Sequence, residues 1–422
     1  LANLLCVRAY NRYEYASRGE RTDIGRRLRY VSKNAADFAA AKDIRIYGMA
    51  TWLRETFSDL FRQDTAWSAR LNRRLLLGRL VDLLVILLRD GGAYTLLLVM
   101  AVRGELRPDE FVLYFSAISG FAAFIGNMIS AWNEMQTASL KVSDYRQFME
   151  LPDTDGTGTA HAADHREHAP EITFDHVSFR YDGAAHDTLH DISLTLRAGE
   201  HVALVGLNGA GKTTLVKLLC GLYAPTSGTI RIDGVPAAEF RRDDYAALFA
   251  PVFQEVRTAC FSLAETAACA FGPEVDRERV ERCLRAAGLG EKLDALPHGM
   301  DTHLDKQVNP DGIELSGGEA QKLMMARALY KDAPVLVLDE PTAALDPVSE
   351  YEVYRRFGEI SGGKTAIYIS HRLASCRFCD EILVFHEGQI VQHGAHEALL
   401  AQENGKYAEL WNAQAQYYTE TV

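Results

Sequence analysis

The stretch Gly206-Leu207-Asn208-Gly209-Ala210-Gly211-Lys212-Thr213 has the residue types and spacing best suited to hold a polyphosphate. It fits G-x-x-x-x-G-K-[ST] and follows a short apolar run, 201–205, that reads as a buried strand. Glycines at these positions let consecutive backbone N–H groups turn inward onto phosphate oxygens. A helix starting at Lys212 and running on through Thr214 would aim its positive dipole end at the same anion. The Lys212 ammonium would neutralise the outer phosphates of a nucleoside triphosphate such as ATP, and the Thr213 hydroxyl would ligate Mg²⁺. A second acidic feature lies at 335–340, an apolar run ending in Asp339 and Glu340. Asp339 at a strand end can hold Mg²⁺, and the next carboxylate, Glu340, can polarise an attacking water. A third device is Leu315-Ser316-Gly317-Gly318-Glu319, which opens a helix over about residues 320–330. Ser316 with two glycines at a helix start binds anions, or it is simply an N-cap. One phosphate site does not need two such devices, so Ser316 fits a site completed in trans by a second copy.

The elements that position these residues follow from the pattern around them. From 171 onward, short alternating or apolar runs (172–174, 177–181, 201–205, 335–338, 365–370) are separated by helical stretches. That alternation is the mark of an α/β domain with a mostly parallel sheet. Residues 151–170 are small and polar and read as a solvated linker. His161, His165 and His168 lie there with Asp164, but a flexible linker does not preorganise a metal site.

Residues 1–150 have a different texture. Residues 1–80 hold 16 Lys/Arg against 8 Asp/Glu in a chain of net charge −12, so the acidic excess belongs to the remainder. That acidic surface argues against a nucleic-acid groove, while the basic block suits the cytoplasmic side of a membrane. Residues 111–133 contain no Asp, Glu, Lys or Arg, and 80–102 form a similar apolar segment interrupted by Asp82, Arg89 and Asp90. Each is long enough to cross a bilayer. Charges in such a segment face a watery cavity or pair with one another, and adjacent Arg89 and Asp90 suit an ion pair better than a cavity. Residues 103–110, with Gly104 and Pro108 as breakers, would join the two spans. Seven scattered cysteines suit a reducing compartment; Cys376 and Cys379 read as two cysteines on one helix face.

In this order the motifs resemble those of the ATP-binding cassette of ABC transporters, over 171–415. Leu-Ser-Gly-Gly-Glu is similar to the family signature, which ends in Glu or Gln. The resemblance implies further roles. Tyr181 in Phe-Arg-Tyr-Asp-Gly would stack on adenine, and Gln254 in Pro-Val-Phe-Gln-Glu would reach Mg²⁺ and sense the membrane domain. Asp346 in Ala-Ala-Leu-Asp would lie on the loop crossing a dimer interface. His371 in Ile-Ser-His-Arg would contact the γ-phosphate. Ala343, where a serine is common, is a mild departure.

Residues 1–150 resemble the last part of the membrane domain of a type I exporter, with Lys42-Asp-Ile-Arg-Ile-Tyr47 following its second intracellular loop. The helix near 27–38 would then include the coupling helix that docks on the cassette. The resemblance implies an ATPase half-transporter in the cell membrane, its cassette in the cytoplasm, working as a homodimer or heterodimer on an unknown substrate. It further implies that four N-terminal spans precede Leu1, and leaves 416–422 as a tail. The expected fold is therefore an α/β P-loop cassette, a mixed sheet with a helical subdomain, behind an all-α membrane region. A soluble cassette ATPase and an importer ATPase subunit are the alternatives, and both are disfavoured by apolar spans fused in front.

Overall fold

The computed structural model describes residues 12–38, 40–151, 158–161, 168–256, 258, 260–306, 308–341 and 363–419. The chain divides into two units, Leu1–Pro152 and Asp153–Val422.

The first unit is helical: α1 (Arg18–Ala36), α2 (Ala41–Ile46), α3 (Ala50–Val102) and α4 (Pro108–Met149). The expected spans turn out to be parts of much longer helices. At a 1.5 Å rise, the 53 residues of α3 extend about 80 Å, against an apolar bilayer core of roughly 30 Å. Backbone hydrogen bonding continues through Asp82, Arg89 and Gly91-Gly92, because helix propagation depends on the backbone and not on hydropathy. Residues 103–107 separate α3 from α4, as the sequence suggested, and Pro108 stands at the start of α4. It occupies the first turn of α4, where a missing N–H costs nothing, and Glu110 caps the Arg107 N–H at 2.9 Å. Tyr94 joins the two helices, its hydroxyl 2.8 Å from Ser119 Oγ and its ring 4.7 Å from Phe115. Near the polar end, Trp67 is buried with Arg21 lying over its ring. Arg70 pairs with Glu20 across α1 and α3. Farther along, Leu83, Leu84, Leu87, Leu88, Phe121 and Phe124 point outward and are exposed.

The second unit has two sheets. A six-stranded sheet runs in the order β10 (Gln389–Gly394), β9 (Glu381–His386), β3 (His201–Gly206), β8 (Thr365–Ile369), β7 (Val335–Asp339), β6 (Phe249–Val252). All its neighbours pair in parallel except β10 with β9. Strands β7 and β8 are buried at every position, which is why their sequences are continuous apolar runs. The other sheet is antiparallel, in the order β2 (Leu189–Leu196), β1 (Ile172–Phe179), β4 (Ser227–Ile232), β5 (Val235–Pro236). Helix α5 (Lys212–Leu219) packs its apolar face between the sheets, with Leu215, Val216, Leu218 and Leu219 buried in one core. A second core gathers α6 (Leu263–Ala268), α7 (Arg277–Ala286), α8 (Gly290–Ala295) and α9 (Gly317–Lys331), the helical subdomain, onto β6 and β7.

The end of the linker is less free than its composition suggested. Ala160 N–H donates to Glu239 O at 3.0 Å, and His161 pairs with Asp244 at 3.3 Å. His168 lies 3.9 Å from Asp233, while Asp164 and His165 lie outside the described residues. The two C-terminal cysteines do not share a helix face. Cys376 sits in a 3₁₀ turn, Leu373–Phe378, and Cys379 caps it. Burial pushes the Cys376 thiol up to about 12 and raises Cys379 as well, so both are poor nucleophiles at neutral pH.

Candidate active site

Strand β3 delivers the phosphate-binding loop. Gly206, at φ +146°, closes on the neighbouring strand so tightly that a Cβ there would sit 2.3 Å from Phe385 O. Gly211 has φ +105° and meets Leu189 Cδ2 in the same way, at 2.6 Å. Only glycine fits either position, and each fixes one end of the loop. Between them Asn208 and Gly209 are exposed, while Ala210 is buried and its carbonyl accepts from Gly388 N–H at 3.2 Å.

Lys212 opens α5 with its ammonium folded over the loop, donating to Gly206 O at 2.8 Å and Leu207 O at 3.0 Å. Burial lowers its pKa, and the carboxylates of Glu340 and Asp339 oppose that shift. A buried cation folded against a glycine-shaped loop has the chemistry to receive a polyanion. Thr214 follows, its hydroxyl 3.1 Å from the Tyr181 hydroxyl. The Tyr181 ring stands edge-on to Phe179 and Tyr223, with centroids 4.8 and 5.4 Å away. The sequence reading had no role for Tyr223; an aromatic residue just past the helix that follows the loop was its only signal.

Strand β7 delivers the carboxylates. Asp339 is buried, and its Oδ1 has no hydrogen-bond partner. Burial raises its pKa, Thr213 pulls it down by a hydrogen bond, and the charge of Glu340 pushes it up again. An orphaned carboxylate oxygen beside a threonine hydroxyl is an oxygen-donor set for a hard cation. Thr213, Gln254 and Asp339 line one cavity of about 470 Å³, so the residues present fit Mg²⁺.

Glu340 leaves the strand at φ +51°, a conformation that costs a non-glycine residue about 1–2 kcal/mol. Its N–H donates to Ile369 O at 3.0 Å, which holds the strained turn. The turn brings the carboxylate between two other sequence-selected residues. Gln254 Nε2 donates to Glu340 Oε2 at 3.0 Å, and His371 Nε2 lies 2.5 Å from Glu340 Oε1. Residues far apart in sequence thus converge on one carboxylate.

The signature is placed elsewhere. Helix α9 begins at Gly317, a turn earlier than expected, with Ser316 as N-cap. Ser316 Oγ accepts from Glu319 N–H at 3.3 Å, and Glu319 Oε2 accepts from Ser316 N–H at 2.8 Å. Burial pushes the Glu319 carboxyl up, but the Ser316 bonds and Lys292 at 3.0 Å outweigh it and the net shift is down. Ser316 and Gly317 are exposed, Gly318 is half-buried, and none lines the cavity at Asp339. Asp346 and Ala343 lie outside the described residues.

If Tyr181 stacks on adenine, Tyr181→Ala weakens ATP binding about tenfold, from lost stacking, while inorganic triphosphate binds as before. Competition of both against a fluorescent nucleotide measures this, and equal weakening would make the tyrosine merely structural.

Comparison with known proteins agrees with this geometry. Residues 189–343 match the family model described as ABC transporter. A Burkholderia pseudomallei protein named ATP-dependent lipid A-core flippase is 45% identical over 248 residues, which are 58% of this chain and 40% of that protein. A Pseudomonas aeruginosa protein of the same name is 33% identical over 369 residues, 87% of this chain and 59% of its own length. This chain thus spans about 40% of the length of the curated relatives that match its cassette. The structure of a bacterial Atm1-family ABC exporter with ATP bound superposes with a TM-score of 0.79 at 25% identity, over 98% of this chain and 72% of the other. An ATP-binding cassette of the ABC transporter type is thus joined in one polypeptide to long apolar helices, and almost the whole length of this chain is similar in sequence and fold to ABC exporters.

Proposed function

We propose that this chain hydrolyses ATP as part of an exporter subunit that works as a dimer in the cell membrane. The observation that carries the proposal is the carboxylate of Glu340, held between Gln254 and His371 beside the loop that Lys212 closes. Loop N–H groups and Lys212 would bind the phosphates, with Tyr181 against the base. Thr213, Asp339 and Gln254 would hold Mg²⁺, which would supply charge neutralisation for the phosphates. Glu340 accepts the proton of the attacking water. His371 Nε2, now spent on Glu340, would turn its N–H to the γ-phosphate. The strained turn at Glu340 fixes the carboxylate in place before the nucleotide arrives, which lowers the cost of reaching the reactive geometry.

Ser316 and Gly317 are exposed, and the donors at this helix start would serve the nucleotide of a facing cassette, with Asp346 at the same interface. Outward-facing leucines and phenylalanines on α3 and α4, on two helices long and apolar enough to cross a membrane, support a place in the bilayer. The basic block before them supports a cytoplasmic place for the cassette. The name lipid A-core flippase belongs to relatives matched most closely over the cassette, which does not touch cargo; the cargo proposed here is only an exported substrate.

A composite site makes a test available. Full-length Lys212→Ala and Ser316→Arg proteins are each expected to be inactive as ATPases. Co-expressed, they form mixed dimers with one intact site, and phosphate release returns to a quarter or so of the parent rate, since about half the dimers carry one site of two. A Ser316→Arg protein with full activity would sink the trans role. Two dead variants that stay dead together would sink pairing of identical chains.

A further inference from the structure

The segment that carries His371 is tied to the C-terminal helix. Helices α10 (His396–Leu400) and α11 (Lys406–Thr419) close the second unit. On α11, Gln414 uses both ends of its amide on this one segment. Its Nε2 donates to the His371 carbonyl, and its Oε1 accepts from Leu373 N–H at 3.0 Å. Internal bonds shape the same turn: Ser370 Oγ accepts from Arg372 N–H at 3.0 Å, and Ser375 Oγ donates to Arg372 O at 2.6 Å. These tie the turn to itself, whereas Gln414 ties the main chain on either side of Arg372 to a separate helix.

That helix is a firm anchor. Tyr407 is fully buried in a core with Leu373, Cys376 and Leu399, against which Leu410 and Trp411 pack. Its hydroxyl meets His396 Nδ1 at 2.7 Å, and its N–H donates to Gln392 Oε1 at 2.9 Å. Gln414 also faces the chemistry. With Leu410 it forms one wall of a cavity of about 170 Å³ whose other walls are Gly206, Asn208 and His371.

We propose that Gln414 is a positioning residue for His371, fixing its main chain so that Nε2 reaches the site of the γ-phosphate. The proposal rests on the reading of His371 given above. A carbonyl clamped to a rigid helix gives the imidazole a fixed base from which to swing between Glu340 and phosphate. A misplacement of about 1 Å at such a group costs on the order of a hundredfold in rate. An amide suits the task because it donates to one main-chain group and accepts from another. Glutamate of equal size keeps the acceptor for Leu373 but loses the donor to His371, and alanine loses both.

The test is steady-state ATPase kinetics on the full-length protein. Gln414→Ala and Gln414→Glu are expected to lower kcat about tenfold with KM for ATP within about twofold of the parent. Asn412→Ala, exposed on the same helix, keeps the parent rate. Adding Gln414→Ala to His371→Ala slows the residual rate no further, because the glutamine acts through the histidine. Should the alanine variant melt early, the glutamate variant decides. A kcat within twofold of the parent in both 414 variants, with His371→Ala slow, overturns the proposal, as does a loss that multiplies in the double variant. Full turnover by His371→Ala would instead overturn the reading on which it rests.

Discussion

Replacing Glu340 by Gln is expected to cut ATP turnover by about a hundredfold or more while leaving ATP affinity within about twofold of the parent. Gln254 Nε2 and His371 Nε2 reach different oxygens of Glu340, so a glutamine oxygen keeps one contact while its NH₂ group faces the other neighbour. The strained φ of +51° and the N–H bond to Ile369 O are main-chain features that the amide leaves alone. What disappears is the capacity to take a proton from water, which for a positioned carboxylate is worth about 10²–10⁴ in rate. With binding kept and hydrolysis gone, cassettes that close on ATP have no route to reopen. Spin labels on exposed cassette positions should then report a short, persistent distance between two copies in the variant. Phosphate release within about tenfold of the parent would remove Glu340 from the role of base.

The two kinds of motif differ in how far sequence alone could read them. The loop at 206–213 is contiguous, and its glycines answer to contacts made by their own backbone, at Phe385 and Leu189, so the pattern carries its geometry with it. The α/β architecture was legible for a similar reason: strands buried on both faces, such as β7 and β8, must be apolar throughout. The convergence of Gln254, Glu340 and His371 was not readable from spacing. It depends on β6, β7 and β8 lying side by side in the sheet, with each residue following the end of its strand. The roles of Gln254 and His371 came from family likeness, whereas that of Glu340 was read from its place at the end of an apolar run. Gln414 left no trace at all, because one amide bonding two main-chain groups 43 and 41 residues away has no local signature. Span limits and helix limits are different quantities. Hydropathy marks where a segment can meet lipid, whereas α3 and α4 end only where backbone hydrogen bonding stops.

Lys212→Ala is the second large effect, and it acts on binding instead of turnover. Lys212 is 5% exposed, and its ammonium has two carbonyl acceptors, those of Gly206 and Leu207. Burial disfavours its charge, and the carboxylates of Glu340 and Asp339 oppose that penalty. A bound polyphosphate would bring several negative charges to an ammonium already stripped of most of its water. A charge-assisted hydrogen bond is worth about 1.5–3 kcal/mol. Its loss therefore weakens ATP by roughly tenfold to 150-fold. Removing the ammonium also takes one positive charge from beside Asp339 and Glu340 as the phosphates arrive, which pushes the effect toward the upper end. Because the lysine contacts phosphate and not base, inorganic triphosphate is expected to weaken by the same factor as ATP, unlike in Tyr181→Ala. Calorimetric titration of both ligands into the parent and the variant separates the two predictions. ATP affinity unchanged in Lys212→Ala would mean that the loop, despite its glycines, is not where this protein holds phosphate.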